Sequence, residues 1–343
     1  MHYMGIDHHK QYSHITVLDE RGEVIKAERV GNTSKEVDVF LHGLDSEIEG
    51  VIEAGYSHYT MMDLMESVGV RMKIAHPEQV KAIAKAKIKT DKRDSKILAH
   101  LLRSDLIPEV YCRGKENREA QRILRHRVTY VRMQTQVKNR IRALLAKQRE
   151  EVRQIVELEG NLFKVSGIEA LGSLELPGRD QQMLESYLET LEHLKGKIKL
   201  SDVLVREVLR SSEEARLIST LPGFKEFFPV LVSVEIADIN RFDSPAKLHS
   251  YAGLVPSTFA SGEKLYHGKL VRQGNKWLRW AAVEAVWPAV RSDFDIRLYY
   301  QRRKKKKEAN SAKVATASSS ISIVKISSRY SSSGSPLILY GSK

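Results

Sequence analysis

Cysteine is nearly absent from this chain. Cys112 is the one thiol among 343 residues, which excludes an internal disulfide and a thiolate zinc cage. Nothing around Cys112 marks it as reactive. Proline is scarce as well, with 9 residues, and neither proline nor glycine interrupts the stretch from Glu116 to Glu150. No apolar run approaches the roughly 20 residues needed to cross a bilayer. A start carrying Asp7, His8, His9 and Lys10 does not read as a signal peptide, so a cytoplasmic protein with no membrane partner is expected. Acidic residues are in deficit, 43 against 56 Lys and Arg, leaving a formal charge of +13. A chain this positive is drawn to polyanions such as DNA, RNA or an anionic membrane surface, and charge alone does not choose among them. Its length exceeds what one hydrophobic core usually supports, and its 42% hydrophobic content is that of a globular protein, so two or more domains are expected.

What is present begins with three short segments rich in Ile, Val and Tyr, at residues 2–7, 13–19 and 23–30, divided by turn material such as Glu20-Arg21-Gly22. They read as an antiparallel meander. Thr33-Ser34 offers an N-cap to a helix carrying Val37, Phe40, Leu41 and Leu44, and a strand ends at Val51-Ile52-Glu53. A helix over 59–68 and a strand over 70–75 follow. Hairpins followed by helix and strand alternation predict an α/β domain of ribonuclease H-like type.

The uninterrupted stretch from Glu116 repeats Ile123, Val128, Val131, Val137, Ile141, Leu144 and Leu145 at helical spacing and predicts one long helix. Its polar positions include Arg118, Arg122, Arg125, Arg127, Arg132, Lys138, Arg140, Arg142 and Lys147, a basic surface suited to nucleic acid or to a second subunit. The bland alternative is a solvated helical hairpin. A second long helix from Asp180 towards Leu209 carries Leu184, Leu188, Leu191 and Leu194 and can pair with the first. Beyond it, Leu221-Pro222-Gly223 predicts a tight turn between helices, able to hold a DNA phosphate at Gly223 or to be a plain corner. After the basic run Arg302 to Lys307, serine dominates from Ser318 to Ser335, and disorder is expected there.

Asp7 closes the first strand, Glu53 closes a later one, and Asp91 and Asp94 lie three apart where a helix begins. Spacing of three puts both aspartates on one helix face. Carboxylates gathered this way repel unless cations neutralise them. Hard oxygen donors select Mg²⁺ or Mn²⁺, and a pair of ions roughly 4 Å apart stabilises both attacking and leaving oxygens at a phosphodiester. Each Asp taken singly is more simply a cap or a solvated residue. Actin-like sugar kinases share the opening strand and Asp, but their phosphate hairpin wants glycine and small hydroxyl residues where His8-His9-Lys10-Gln11 stands. His8 and His9 offer metal-ligand chemistry, yet neighbours on a strand end point apart, and a surface role is expected for them.

In the C-terminal third, the stretch Tyr251 to Gly262 places Ser261 before a glycine in a loop after a helix. Lys264, His267, Lys269, Arg272, Lys276 and Arg279 follow at once, a positive field that suits a phosphate group. Ser-Gly pairs taken alone are mostly turn residues.

These residues together resemble the transposases of insertion-sequence family one hundred and ten, which are similar to Piv-type DNA invertases. The likeness rests on Asp7 in Gly5-Ile6-Asp7, Glu53 in Ile52-Glu53-Ala54, and Asp91 and Asp94 in Lys89-Thr90-Asp91-Lys92-Arg93-Asp94. It continues through Leu221-Pro222-Gly223, Tyr251-Ala252-Gly253-Leu254, Pro256, Ser261-Gly262 and 272–279. The resemblance implies a RuvC-like Asp-Glu-Asp-Asp domain over 1–112, a helical or coiled-coil joining and oligomerisation region over 113–212, and a mainly helical transposase domain over 213–316. A Ser-rich tail over 317–343 departs from the family pattern. It also implies that Ser261, with Ser257 as the alternative, attacks a DNA phosphodiester to form a phosphoserine link, while Mg²⁺ held by the acidic tetrad assists. The implied partners are donor and target DNA, a structured noncoding guide RNA, and further copies of the chain in a homodimer or homotetramer; the setting is the bacterial or archaeal nucleoid. Nucleic acid would meet Arg118, Arg122, Arg125, Arg132, Lys138, Arg140, Gly223, Lys264, Lys269, Arg272, Lys276 and Arg279. Two rivals stand beside this: a metal-dependent junction-resolving nuclease that hydrolyses with water, and a non-enzymatic nucleic-acid-binding protein whose binding would be strongly salt-dependent.

Overall fold

The computed structural model describes residues 1–84, 90–150, 152, 162–261, 264–270, 274–306 and 308–330. The chain divides into two compact units, Met1–Arg113 and Gly114–Lys343.

The first unit is built on a five-stranded sheet. β1 (His2–His8), β2 (Tyr12–Leu18) and β3 (Val24–Gly31) form the antiparallel meander, and β4 (Ile48–Glu53) and β5 (Arg71–Ala75) extend the other side in parallel, giving the order β3-β2-β1-β4-β5. Alternation along each strand gives the sheet two apolar faces, and each takes its own helices. Met4, Ile6, Ile15, Val17, Ile52 and Ile74 pack with α1 (Ser34–Leu41) and α2 (His58–Ser67) through Val37, Phe40, Met61 and Met65. Val51 and Ala75, on the opposite face, meet Val80 of α3 (Pro77–Ile83) and Leu98, Leu101 and Leu102 of α4 (Asp91–Arg103). Thr33 caps α1 by accepting from Glu36 N at 3.3 Å.

Among its described residues the second unit is helical apart from one hairpin. The two long helices are α5 (Lys115–Leu145) and α7 (Arg179–Ser211), joined through α6 (Val165–Gly172). They run antiparallel, since Gln148 donates to Asp180 at 2.7 Å while Arg127, further back, pairs with Asp202. One end of this pair has its own core, with Ile141, Leu144 and Leu145 against Leu171, Leu184 and Leu191. The other end does not stand apart as 113–212 was expected to. Ala120, Leu124, Val128 and Val205 lie in the same core as α8 (Glu213–Ser219), α9 (Phe227–Ile236), α10 (Pro245–Ala252) and α11 (Lys276–Ser292). The hairpin of β6 (Pro256–Ser261) and β7 (Lys264–Leu270) leaves from between α10 and α11. α12 (Phe294–Lys306) carries Arg302 to Lys306 as exposed residues of its last turns.

The expectation of disorder from 317 onward is corrected over 317–330. α13 (Ala309–Tyr330) is a helix, with Ala312, Ala317, Ile321, Ile323 and Val324 buried. Ala317, Ile321 and Val324 fall on one helical stripe, and the buried hydroxyls of Thr316 and Ser320 need no outside partner. Thr316 donates to Ala312 O at 2.9 Å and Ser320 to Thr316 O at 3.1 Å, so hydroxyls satisfy themselves on the helix's own carbonyls. Composition concealed a periodic apolar face. Residues 331–335 of the serine-rich stretch lie outside the described residues. Among the described residues no helix is long and apolar enough to cross a membrane.

Candidate functional site

The acidic residues of the first unit gather because of strand register and one glycine. Ile6 pairs with Ile52 in parallel, so Asp7 and Glu53, one residue further along each strand, sit side by side at the ends of β1 and β4. Val51 packs against α4, and alternation therefore points Glu53, Gly5 and Asp7 to the α4 face. Gly5 lets α4 come very close. A methyl group there would lie 2.5 Å from Ala99 N and closer still to the Ser95 carbonyl oxygen. Ser95 is fully buried, 2.8 Å from Thr16 Oγ1 and 3.0 Å from His14 Nδ1, which locks α4 onto β2 as well. The helix starts at the end of the central strand, where Asp7 stands. Thr90 caps it, accepting from Arg93 N at 3.3 Å, and Asp91 and Asp94 occupy the first turn, where the helix dipole favours negative charge.

Ligand atoms of Asp7, His9 and Asp91 all lie within 4.8 Å of one another, and all three residues are partly buried. Glu53 ends the neighbouring strand and Asp94 follows Asp91 along α4, outside this tight group. His9 Nε2 is 3.4 Å from Asp7 Oδ2 and 3.2 Å from Asp91 Oδ2. Tyr12 donates to Asp91 Oδ2 at 3.2 Å, and this bond raises the tyrosine hydroxyl above its ordinary pKa. Burial lowers the His14 imidazole, against the pull of Asp91. Carboxylates with one imidazole form a donor set that a divalent cation fits, and the buried His9 Nε2 makes no hydrogen bond.

The expectation of a surface role for both histidines is corrected here. His8 is committed to the fold, with Nδ1 2.9 Å from Ser13 Oγ and Nε2 2.9 Å from Ser57 Oγ, and burial lowers its pKa. His9 turns into the acidic group. Residues two apart share a face, so the separation of His9 from Asp7 was the available signal.

In the second unit Ser261 ends β6 opposite Lys264 and is thus a strand residue, where a loop was expected. Ser257 lies on the same strand. The hairpin's stem is narrow: a methyl group on Gly274 would lie 2.8 Å from the Ala252 carbonyl carbon and nearer still to the backbone of Gly253. Asn275 bridges the stem. Its backbone N donates to Tyr251 O at 2.6 Å, its Oδ1 accepts from Trp277 N and Leu278 N at 3.0 Å, and its Nδ2 donates to Glu235 Oε2 at 2.8 Å. Glu235 is only 2% exposed and pairs with Arg125. The sequence reading missed Glu235, and no local signal marks it, since it lies inside the apolar helix α9.

Two transposase family models match this chain. One, for the IS110 transposase with the DEDD signature, covers residues 4–148; the other, for the IS116/IS110/IS902 transposase family, covers 215–301. This chain belongs to the IS110 family of transposases. It is 24% identical over 293 residues to the putative transposase y4qE of Sinorhizobium fredii, spanning 83% of this chain and 71% of that protein. It is 25% identical over 283 residues to the transposase for insertion sequence element IS1111A of Coxiella burnetii, spanning 80% and 74%. It is 24% identical over 250 residues to the transposase for IS1533 of Leptospira borgpetersenii, spanning 70% of each chain.

The basic residues of this transposase divide. Arg122, Arg132 and Arg140 are exposed along α5, Arg118 is half-buried, and Lys276 is exposed at the start of α11. Arg125 was expected on the nucleic-acid surface, but it turns inward to Glu235, with its guanidinium 3.7 Å from the Trp277 ring centroid. Lys138 sits 5.4 Å from the Phe163 ring centroid, and burial lowers its pKa. Arg279 donates to Gly253 O at 3.3 Å and so braces the hairpin stem. Gly223 is buried, and a methyl group there would lie 3.0 Å from the Ala285 carbonyl carbon, so this glycine packs α11 rather than meeting a phosphate. Lys264 and Lys269 lie on β7, and Lys89, Gly262, Arg272 and Gln273 lie outside the described residues.

Proposed function

We propose that this transposase cuts and rejoins DNA by transesterification at Ser261, with Asp7, Glu53, Asp91 and Asp94 holding Mg²⁺, or Mn²⁺ in its place. The observation that carries the reading is the group of Asp7, His9 and Asp91, whose ligand atoms lie within 4.8 Å at the end of a strand. An antiparallel meander continued by parallel strands supports a ribonuclease H-like domain. The net charge of +13 supports a polyanionic substrate.

A divalent cation so held supplies electrostatic stabilisation of the oxygens whose charge changes during phosphoryl transfer. The protein's own part is positioning. Gly5 seats α4 on the sheet, and Thr90 and Tyr12 orient the Asp91 turn. Ser261 Oγ forms a bond to phosphorus as the bond from phosphorus to a deoxyribose oxygen breaks, and in net terms its proton passes to that sugar oxygen. One phosphoester replaces another, so the strand can be resealed without ATP. Arg122, Arg132 and Arg140 grip phosphates without reading sequence. Sequence choice lies with a structured noncoding guide RNA that pairs with donor and target DNA. The working form is a homodimer or homotetramer joined through the long helices, one protomer's tetrad serving another's serine, in the cytoplasm at the nucleoid.

The test is to purify the full chain with its co-expressed flanking transcript, add donor and target DNA with Mg²⁺, and run denaturing gels. A protease-sensitive DNA adduct is expected, lost in Ser261→Ala and Asp7→Ala and kept in Ser257→Ala. Cleaved ends that survive Ser261→Ala but vanish in Asp7→Ala would establish a hydrolytic nuclease instead.

A further inference from the structure

The acidic group contains a nitrogen that the tetrad reading does not use. We propose that His9 coordinates the cation through Nε2, beside Asp7 and Asp91, making this a mixed nitrogen and oxygen site that takes Mn²⁺ in preference to Mg²⁺. The inference rests on the reading that Asp7 and Asp91 hold a divalent cation.

Spacing is the first argument. Donors on adjacent corners of an octahedron are separated by √2 times the bond length, about 3 Å for bonds of roughly 2.1 Å. His9 Nε2 stands 3.2 Å from Asp91 Oδ2 and 3.4 Å from Asp7 Oδ2, close to that edge length on both sides. Hydrogen bonding does not account for the placement, because Nε2 is shielded from solvent and neither contact has hydrogen-bond geometry. Nε2 stands at ion-pair distance from both carboxylate oxygens, and a lone pair aimed at a cation held between them fits the same placement.

Preorganisation is the second. His9 lies in the turn after β1, and the turn is pinned on both sides of its peptide unit. Its backbone N donates to Tyr12 O at 2.9 Å, and its carbonyl accepts from Asn32 Nδ2 at 2.8 Å. The imidazole packs on the Tyr12 ring, with centroids 4.8 Å apart, while the Tyr12 hydroxyl donates to Asp91. One tyrosine thereby orients two ligands, and the Arg29 guanidinium 3.7 Å from its ring centroid holds it in turn. Outer contacts of this kind fix ligand direction before the ion arrives. The choice of ion follows from donor type. Imidazole raises affinity for Mn²⁺ and later transition ions, whereas Mg²⁺ prefers oxygen donors and holds its water firmly.

The experiment uses the full chain and Mn²⁺ alone, without DNA or turnover. Binding is followed by loss of the free-ion paramagnetic resonance signal, and the bound ion is examined by electron spin-echo spectroscopy for coupling to imidazole nitrogen. Nitrogen coupling is expected in the unmodified chain and absent in both His9→Ala and His9→Gln. Mn²⁺ affinity should fall about 10-fold in these variants, with a smaller change in the competing affinity for Mg²⁺. His9 is partly exposed in a turn, so both variants should keep the parent's far-ultraviolet circular dichroism. Nitrogen coupling that persists without His9, or unchanged Mn²⁺ affinity in His9→Ala while Asp7→Asn abolishes binding, overturns the proposal and leaves the acidic centre standing. Mn²⁺ binding that is indifferent to Asp7→Asn overturns the acidic centre itself, and the role of His9 with it.

Discussion

Replacing Gly5 by alanine tests whether close helix-on-strand approach assembles the acidic group. The added methyl would sit 2.5 Å from Ala99 N and 3.1 Å from Ala99 Cβ, and nearer still to Ser95 O. Favourable carbon contacts need about 3.5–4.0 Å, so α4 must withdraw by roughly 1 Å or more. Two of the three atoms crowded are backbone, so no rotamer change offers relief. Withdrawal also stretches the bonds of buried Ser95, now 2.8 Å to Thr16 and 3.0 Å to His14, towards the limit of useful hydrogen bonding. Overpacking costs about 1–3 kcal/mol and a stranded buried hydroxyl about as much again, so Gly5→Ala should destabilise the first unit by about 3 kcal/mol or more. Urea titration of the purified chain, followed by circular dichroism, measures this directly. Gly55→Ala is the control, because its methyl would meet nothing nearer than 3.9 Å, and it should stay within about 0.5 kcal/mol. Mn²⁺ affinity should fall in Gly5→Ala even under conditions where the unit remains folded, since Asp91 moves with α4. A Gly5→Ala protein within about 0.5 kcal/mol of the parent would refute the reasoning.

Two further outcomes follow from the second unit. Arg125→Ala removes the charged partner of the Glu235 carboxylate, 2% exposed, and should cost about 3–5 kcal/mol, with a double-mutant cycle against Glu235→Ala far from additive. Arg140→Ala, by contrast, should leave stability alone and lower the salt dependence of DNA binding by about one ion; equal effects of the two arginines on that slope would sink the division between them. His249 lies 2.8 Å from Ser322 on α13, and burial holds its pKa below the ordinary 6.5. The unfolded chain then binds the proton more readily, so this contribution to stability is complete above about pH 6.5 and is lost as pH falls from there through the folded value. His249→Gln should shrink the acid-side fall in the unfolding midpoint of this unit, and an unchanged pH profile would count against it.

The strands and long helices were legible because each carried its own period: β1 to β3 in apolar alternation, α5 and α7 in heptad-like leucine and valine. That Asp7 and Asp91 come together was legible in part, because a carboxylate at a strand end and one at a helix start stand out against apolar neighbours. His9 was not, because its pairing with Asp91 depends on how α4 crosses β1, a relation that Gly5 sets across about 90 residues of chain. Arg125 looked like its neighbours on α5, and its partner Glu235 is hidden in an apolar helix more than 100 residues away. The serine-rich stretch misled by composition. Its alanines and isoleucines form a stripe that only helical periodicity reveals.

The narrow stem at Gly253 and Gly274 makes the β6–β7 hairpin a cassette with one doorway. Both strands enter and leave the helical body through a single pair of touching glycines, fastened by Asn275. Length and composition beyond the doorway can therefore drift, or be swapped between relatives, with little strain passed to the helices, while the doorway tolerates no added side chain. For engineering this separates two kinds of change: the outer part of the hairpin is an exchangeable part, and its hinge is the fitting that must be left as it is.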